Sequence, residues 1–151
     1  MSVSTLDHPL ARHKLGLMHD AATGHREMRA LAAELAGMLT IEATRDLPTT
    51  PTQVQGWAGA VAVERVDEST VTVVPILRAG LGMLAGVLEV LPGARVGVVG
   101  LQRDEATLQA HAYCSKLGER MEGQRALVID PMLATAGTAV ATVDMIKALG
   151  C

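Results

Sequence analysis

The chain has 151 residues, enough for one domain around a single core, and is 49% hydrophobic. It has no Phe, one Trp and one Tyr, so that core must be built from Leu, Val, Ala, Ile and Met. A net charge of −3 without any Lys/Arg run excludes a nucleic-acid footprint; without an apolar stretch of roughly 20 residues or a signal-peptide core, the chain is expected to stay off membranes and be cytoplasmic.

Met1 to Asp7 reads as an irregular arm, and residues 8 to 46 as two helices broken near Ala22 to Gly24, because Leu31, Leu35, Met38 and Leu39 recur at helical spacing. Residues 1–46 thus form a helical N-terminal arm, with Arg26, Glu27, Arg29 and Glu34 on its solvated face. Such an arm before an α/β core is also a common dimerisation device. Leu47 to Gln53, with two Pro and three Thr, reads as a linker within the domain. Val54 to Val66 alternates around Gly56-Trp57-Ala58-Gly59, a hairpin signal.

Val71 to Leu77 is expected as a buried strand, Gly82 to Leu91 as a helix and Val96 to Leu101 as a second buried strand. The polar tract 102–123 is too long for an ordinary crossover. Within it Ala110 to Leu117 is expected to pair back as an excursion hairpin, with Arg103, Asp104 and Glu105 near its base and the whole acting as a mobile flap. Ala126 to Ile129 reads as a strand buried on both faces. Asp130 closes it, and small residues lead into a helix whose apolar face is expected to carry Val140, Val143, Met145, Ile146 and Leu149, ending at Gly150. Alternating strands and helices from residue 71 onward predict an α/β fold with a parallel sheet, in one domain over 1–151.

Ligands of such sheets bind off the carboxyl ends of the strands. Three segments lie there: Arg78-Ala79-Gly80-Leu81-Gly82, Gln102-Arg103-Asp104 and the loop Asp130-Pro131-Met132-Leu133-Ala134-Thr135-Ala136-Gly137-Thr138. Small residues before a helix let an anion reach the helix N–H groups, guanidinium groups bind phosphate oxygens in pairs, and a carboxylate suits sugar hydroxyls. The pattern therefore points to a phosphorylated sugar. Each piece also has a structural alternative: the glycines as turn residues, the arginines as surface residues, Thr135 and Thr138 as helix caps. Gly80, Gly82 and Ala85 also match the G-x-G-x-x-A dinucleotide fingerprint, with Asp104 about 20 residues on. His8, His13, His19, His25 and His111 lack metal-site spacing and read as solvated, and Cys114 and Cys151 are isolated thiols.

Five stretches, HPLARHKLGLM (8–18), LTIEATRDL (39–47), VTVVPILRAGLGML (71–84), GLQRDEATL (100–108) and VIDPMLATAGTAVATVDMIKALGC (128–151), resemble uracil phosphoribosyltransferases, members of the type I phosphoribosyltransferase family. The resemblance implies formation of UMP and diphosphate from uracil and 5-phosphoribosyl 1-diphosphate (PRPP), with Mg²⁺ accompanying PRPP and no metal held by the protein directly. It implies a homodimer or higher homo-oligomer, with a purine nucleotide as an allosteric effector. By resemblance Asp130 holds ribose hydroxyls and Ala134 to Thr138 cradle the 5-phosphate. Arg78, Ala79 and Gly80 form the diphosphate loop and Arg103 is a second diphosphate arginine; Asp130 and Arg103 are the catalytic pair. The family's loop reads A-T-G-G-S or A-T-G-G-T, so Ala136 stands where a Gly is usual. If that position needs positive φ, Ala costs on the order of 1 kcal/mol or more. The resemblance also implies further strands and a uracil-recognising hood beyond Cys151, without which one sheet edge and an apolar face are expected to be open. A non-catalytic PRPP-binding module or regulatory subunit is the alternative reading.

Overall fold

In a computed structural model, which describes residues 3–103 and 110–151, the periodic segment before residue 46 is two helices, α1 (Pro9–Met18) and α2 (His25–Ala43). The imidazole Nδ1 of His8 accepts the Leu10 N–H at 3.1 Å, and Pro9 occupies a first-turn position that needs no donor. His8 is thus a helix cap as well as a solvated residue. An ion pair between Lys14 and Glu34 ties α1 to α2.

The next element corrects the expected linker. Strand β1 (Thr49–Gly56) begins inside it and pairs antiparallel with β2 (Gly59–Val66), in register from Thr49↔Val66 to Gly56↔Gly59. In a two-stranded ribbon every strand is an edge strand, which tolerates Pro51, and the threonines favour extended backbone. Trp57 and Ala58 make the two-residue turn, with Gly59 at φ 130°.

Strand β3 (Val71–Leu77) organises the main sheet. Helix α3 (Leu81–Val90) carries the chain across to β4 (Arg95–Val96) and β5 (Val98–Arg103), which pair parallel with β3 in one continuous register. The break between them falls at Gly97, whose N–H still reaches the Val73 carbonyl at 2.9 Å. The second strand therefore starts earlier and ends later than its apolar run 96–101. Strand β6 (Ala110–Lys116) returns antiparallel along β5, from Val98↔Lys116 to Arg103↔Ala110, which is the expected excursion hairpin. Arg103 is in the last pair of that ladder, not at its base. Asp104 and Glu105 lie outside the described residues.

Strand β7 (Arg125–Ile129) pairs parallel with the other side of β3 and has no further partner among the described residues. Being an edge strand, it is not buried on both faces as expected: Ala126, Leu127 and Val128 are half-buried and only Ile129 is fully so. Helix α4 (Gly137–Ala148) follows.

Two apolar layers flank the sheet. Successive strand residues point to opposite faces, so Val73 packs with Ala36, Val87 and Ile129 under α2 and α3, while Val74 packs with Val99, Leu117, Met121 and Ile146 under α4. Met121 fills the volume an aromatic ring occupies in other cores. The α4 face also differs from expectation. Thr142 and Ile146 are buried and Met145 and Leu149 join the core, whereas Val140 and Val143 turn outward at 57% and 39% exposure. Gly150 closes the helix as predicted, at φ 90° with its N–H on the Lys147 carbonyl.

The layer under α2 depends on a glycine that the sequence reading did not single out. A Cβ on Gly86 would collide with the Ala33 carbonyl, so α2 and α3 cross with backbones in contact. Gly86→Ala must push the helices apart and is expected to cost about 1–3 kcal/mol, as overpacked sites do. Urea unfolding reads this as a lower midpoint at unchanged slope; an unchanged midpoint would mean that the crossing is loose.

Candidate functional site

The connection from β3 to α3 is very short. The Leu77–Arg78 peptide is cis, Arg78 and Ala79 are exposed, and Gly80 is buried. Gly80 N–H reaches the Ile76 carbonyl at 2.9 Å, and the Leu81 and Gly82 N–H groups reach the carbonyls of Arg78 and Ala79 at 3.2 and 3.1 Å. A Cβ on Gly80 would lie 2.5 Å from the Ile129 carbonyl oxygen and 2.7 Å from the Ile76 nitrogen. Gly80 therefore touches the end of the neighbouring strand, next to Asp130. This corrects the dinucleotide-fingerprint alternative: the space at its first glycine is filled by β7 backbone, not left for a pyrophosphate.

Asp130 is half-buried just beyond β7, and its Oδ1 accepts the Met132 N–H at 3.2 Å, an Asx turn that starts the loop. From there the loop curls around a hollow of about 90 Å³ lined by Asp130, Met132 to Ala136, Thr138 and Ala139. Pro131 is exposed on the loop's outer side. Ala136 has φ 58° and ψ 1°, the one non-glycine residue with positive φ among the described residues. Its carbonyl accepts the Val140 N–H at 2.9 Å, so Ala136, which has no capping side chain of its own, is the N-cap of α4. The N-cap position itself is thus neither Thr135 nor Thr138. The left-handed turn at Ala136 lets the chain fold back into α4, whose first-turn residues Thr138 and Ala139 line the hollow.

On the other side of β3, a cleft of about 620 Å³ is lined by Leu77, Arg78, Leu101, Gln102 and Tyr113. Arg78 makes no ion pair with any described residue. Parallel pairing of β3 and β5 ends at Leu77↔Gly100, and the backbone of Arg103 lies three residues further along β5, roughly 10 Å at strand rise. The structure thus sets Gly80 against Ile129, the residue before Asp130, and lines one hollow with Asp130, Met132 to Ala136, Thr138 and Ala139. It sets the Arg103 backbone on an extension of the ribbon beyond the sheet. Gln102 and Tyr113 are additions to the sequence reading. Only the register irregularity at Gly100/Leu101, which leaves Tyr113 as the extra residue on β6, puts Tyr113 beside the cleft.

Arg78 thus follows one of two adjacent parallel strands, and Asp130 with the loop into α4 follows the other. Such a set binds an anion at each end and hydroxyls between them. Among the described residues no group of three or more His, Cys, Asp or Glu could hold a metal ion, and no helix is long and apolar enough to cross a membrane.

Comparison with known proteins gives a family and similar solved structures. The family model described as uracil phosphoribosyltransferase matches residues 5–151. Among solved structures, the AQ2163 protein from Aquifex aeolicus is similar at 37% identity and a TM-score of 0.90, over 97% of this chain and 70% of that one. A purine phosphoribosyltransferase from Pyrococcus horikoshii Ot3 matches at 16% identity and a TM-score of 0.47, over 53% of each chain.

Two substitutions probe the loop geometry. Ala136→Gly removes left-handed strain but adds unfolded-chain freedom, for an expected net stabilisation of about 0.5 kcal/mol, whereas β-branched Ala136→Val is expected to destabilise by more than 1 kcal/mol, roughly. Thermal melts should rank Gly above Ala above Val; the reverse order would mean that residue 136 is not left-handed. Gly80→Ala is expected to lower stability by about 1–3 kcal/mol, because its Cβ meets only backbone.

Proposed function

The chain belongs to the uracil phosphoribosyltransferase family and is by family a phosphoribosyltransferase; from that premise we propose that it joins the 5-phosphoribosyl group of PRPP to uracil, giving UMP and diphosphate in pyrimidine salvage. The observation that carries the reading is the contact of Gly80 with the Ile129 carbonyl, which fixes the Arg78 loop beside the loop that starts at Asp130.

In this reading the 5-phosphate takes the hollow between Ala134 and Thr138, held by backbone N–H groups at the start of α4 and by threonine hydroxyls. Asp130 uses one carboxylate oxygen to hold the Met132 N–H, leaving the other for the ribose hydroxyls. Arg78, with Ala79 and Gly80, takes the diphosphate, and Arg103 approaches it from the extended ribbon. As uracil nitrogen attacks the anomeric carbon, the bond to diphosphate breaks through an oxocarbenium-like state. The protein's share is to orient both ends of PRPP, to stabilise the departing charge with Arg78 and to place the Asp130 carboxylate near the positive ring.

Asp130 is the one carboxylate lining the loop hollow, followed by Pro131. This donor set suits a Mg²⁺ carried by the diphosphate and ribose hydroxyls, not one held by protein ligands alone. The ion, when bound, neutralises charge on the diphosphate. A cytoplasmic homo-oligomer with a purine-nucleotide effector accords with the same reading.

Chromatographic assay of uracil, PRPP and Mg²⁺ with the chain is the test. UMP should form, and Arg78→Ala should lower kcat/KM for PRPP by about 100-fold or more, the size of losing one preorganised charge-stabilising group. PRPP binding without UMP would favour the non-catalytic module, and full activity in the variant would remove Arg78 from the site.

A further inference from the structure

The Tyr113 side chain occupies a specific place. Because β6 carries one extra residue opposite Gly100/Leu101, the ring lies across Gly100, so that a Cβ there would be 2.5 Å from Tyr113 Cζ and 2.9 Å from its hydroxyl oxygen. The residue is nevertheless 56% exposed and forms one wall of the 620 Å³ cleft that it shares with Arg78 and Gln102. Its hydroxyl has no hydrogen-bond partner among the described residues. A phenol held over a glycine by strand register, in the same cleft as the Arg78 side chain, presents a donor at a fixed position.

We propose that Tyr113 is a diphosphate-binding residue, its hydroxyl donating to a diphosphate oxygen of PRPP from the side opposite Arg78, with Gly100 kept free of a side chain so that the ring can lie there. The proposal rests on the phosphoribosyl-transfer reading above and deepens it. Arg78 supplies charge without a fixed height above the sheet, since its side chain is long and exposed. The Tyr113 ring has two torsions and a glycine floor, so it sets where the diphosphate stops. It therefore distinguishes a ligand that carries a diphosphate from one that carries only the 5-phosphate.

The test uses the full chain and two probes, magnesium diphosphate and ribose 5-phosphate, measured by calorimetry. Tyr113→Phe keeps the ring and should weaken diphosphate binding about tenfold, as loss of a hydrogen bond to a charged group does, while leaving ribose 5-phosphate unchanged. Gly100→Ala keeps the hydroxyl but displaces the ring, and should produce the same selective loss with an unchanged far-UV spectrum. Equal loss for both probes, or no loss for diphosphate, overturns the role of Tyr113 while leaving the phosphoribosyl reading intact. Failure of the unmodified chain to bind either probe overturns that reading and this proposal with it.

Discussion

The rest of the site depends on a backbone contact that no side chain makes. Gly80 closes the turn after β3 with its α-carbon against the Ile129 carbonyl and the Ile76 backbone, so the turn has nowhere else to go. A β3-to-α3 link this short holds Arg78 and Ala79 at the sheet's carboxyl edge, and the contact with Ile129 sets that edge beside Asp130. The two apolar layers serve the same end. Val73 and Val74, adjacent in sequence, anchor α3 on one face and α4 on the other, so helices leaving neighbouring strands diverge and open a crevice between their starts. Position and charge come from backbone topology, and the side chains add chemistry to a frame already fixed.

The β7 loop follows a complementary logic. Its apolar side chains are largely exposed, Met132 and Leu133 at 77% and 66%. Left-handed backbone at Ala136 is the cost of that arrangement, on the order of 1 kcal/mol, where glycine would be free of it. Such strain persists only where the surroundings over-determine it, and here they do. Upstream, the Asx turn of Asp130 fixes the entry; downstream, Val140 N–H on the Ala136 carbonyl and Thr142 Oγ1 on the Thr138 carbonyl fix the exit.

Much of this was legible in the residues, for identifiable reasons. Val71–Leu77 is a β-branched run bounded by turn residues, and its limits were readable to the residue. The Gly56-Trp57-Ala58-Gly59 turn announced its hairpin, and the excursion of β6 followed from a tract too long for a crossover. The misses share a cause: the deciding information lay in another segment. Two prolines hid β1 because whether a strand tolerates Pro depends on its being an edge. The α4 face was misphased because Ala139, Val140, Ala141 and Val143 are all small or apolar, so that composition alone cannot choose the stripe, and contact with Val74 and Met121 does. Tyr113 depends on a register irregularity, and Gly86 on a crossing with Ala33, neither of which has a local signature.

The division of work between the two loops follows from strand spacing. β3 and β7 are hydrogen-bonded neighbours, so the ends of their backbones are about 4.8 Å apart, while α3 and α4, which follow them, pack on opposite faces of the sheet. In the proposed phosphoribosyl transfer, a ligand that satisfies both would span the crevice with an anion at each end and its middle beside Asp130. With one oxygen of that carboxylate committed to the Met132 N–H, its remaining oxygen has a fixed direction, so on that proposal hydroxyls in the middle of the ligand would be read at one height only. A free phosphate satisfies one end and none of the rest. A sugar with phosphates on two sides, the ligand proposed, would satisfy all three, and positive charge developing on its ring would arise beside a carboxylate whose position the sheet has already determined.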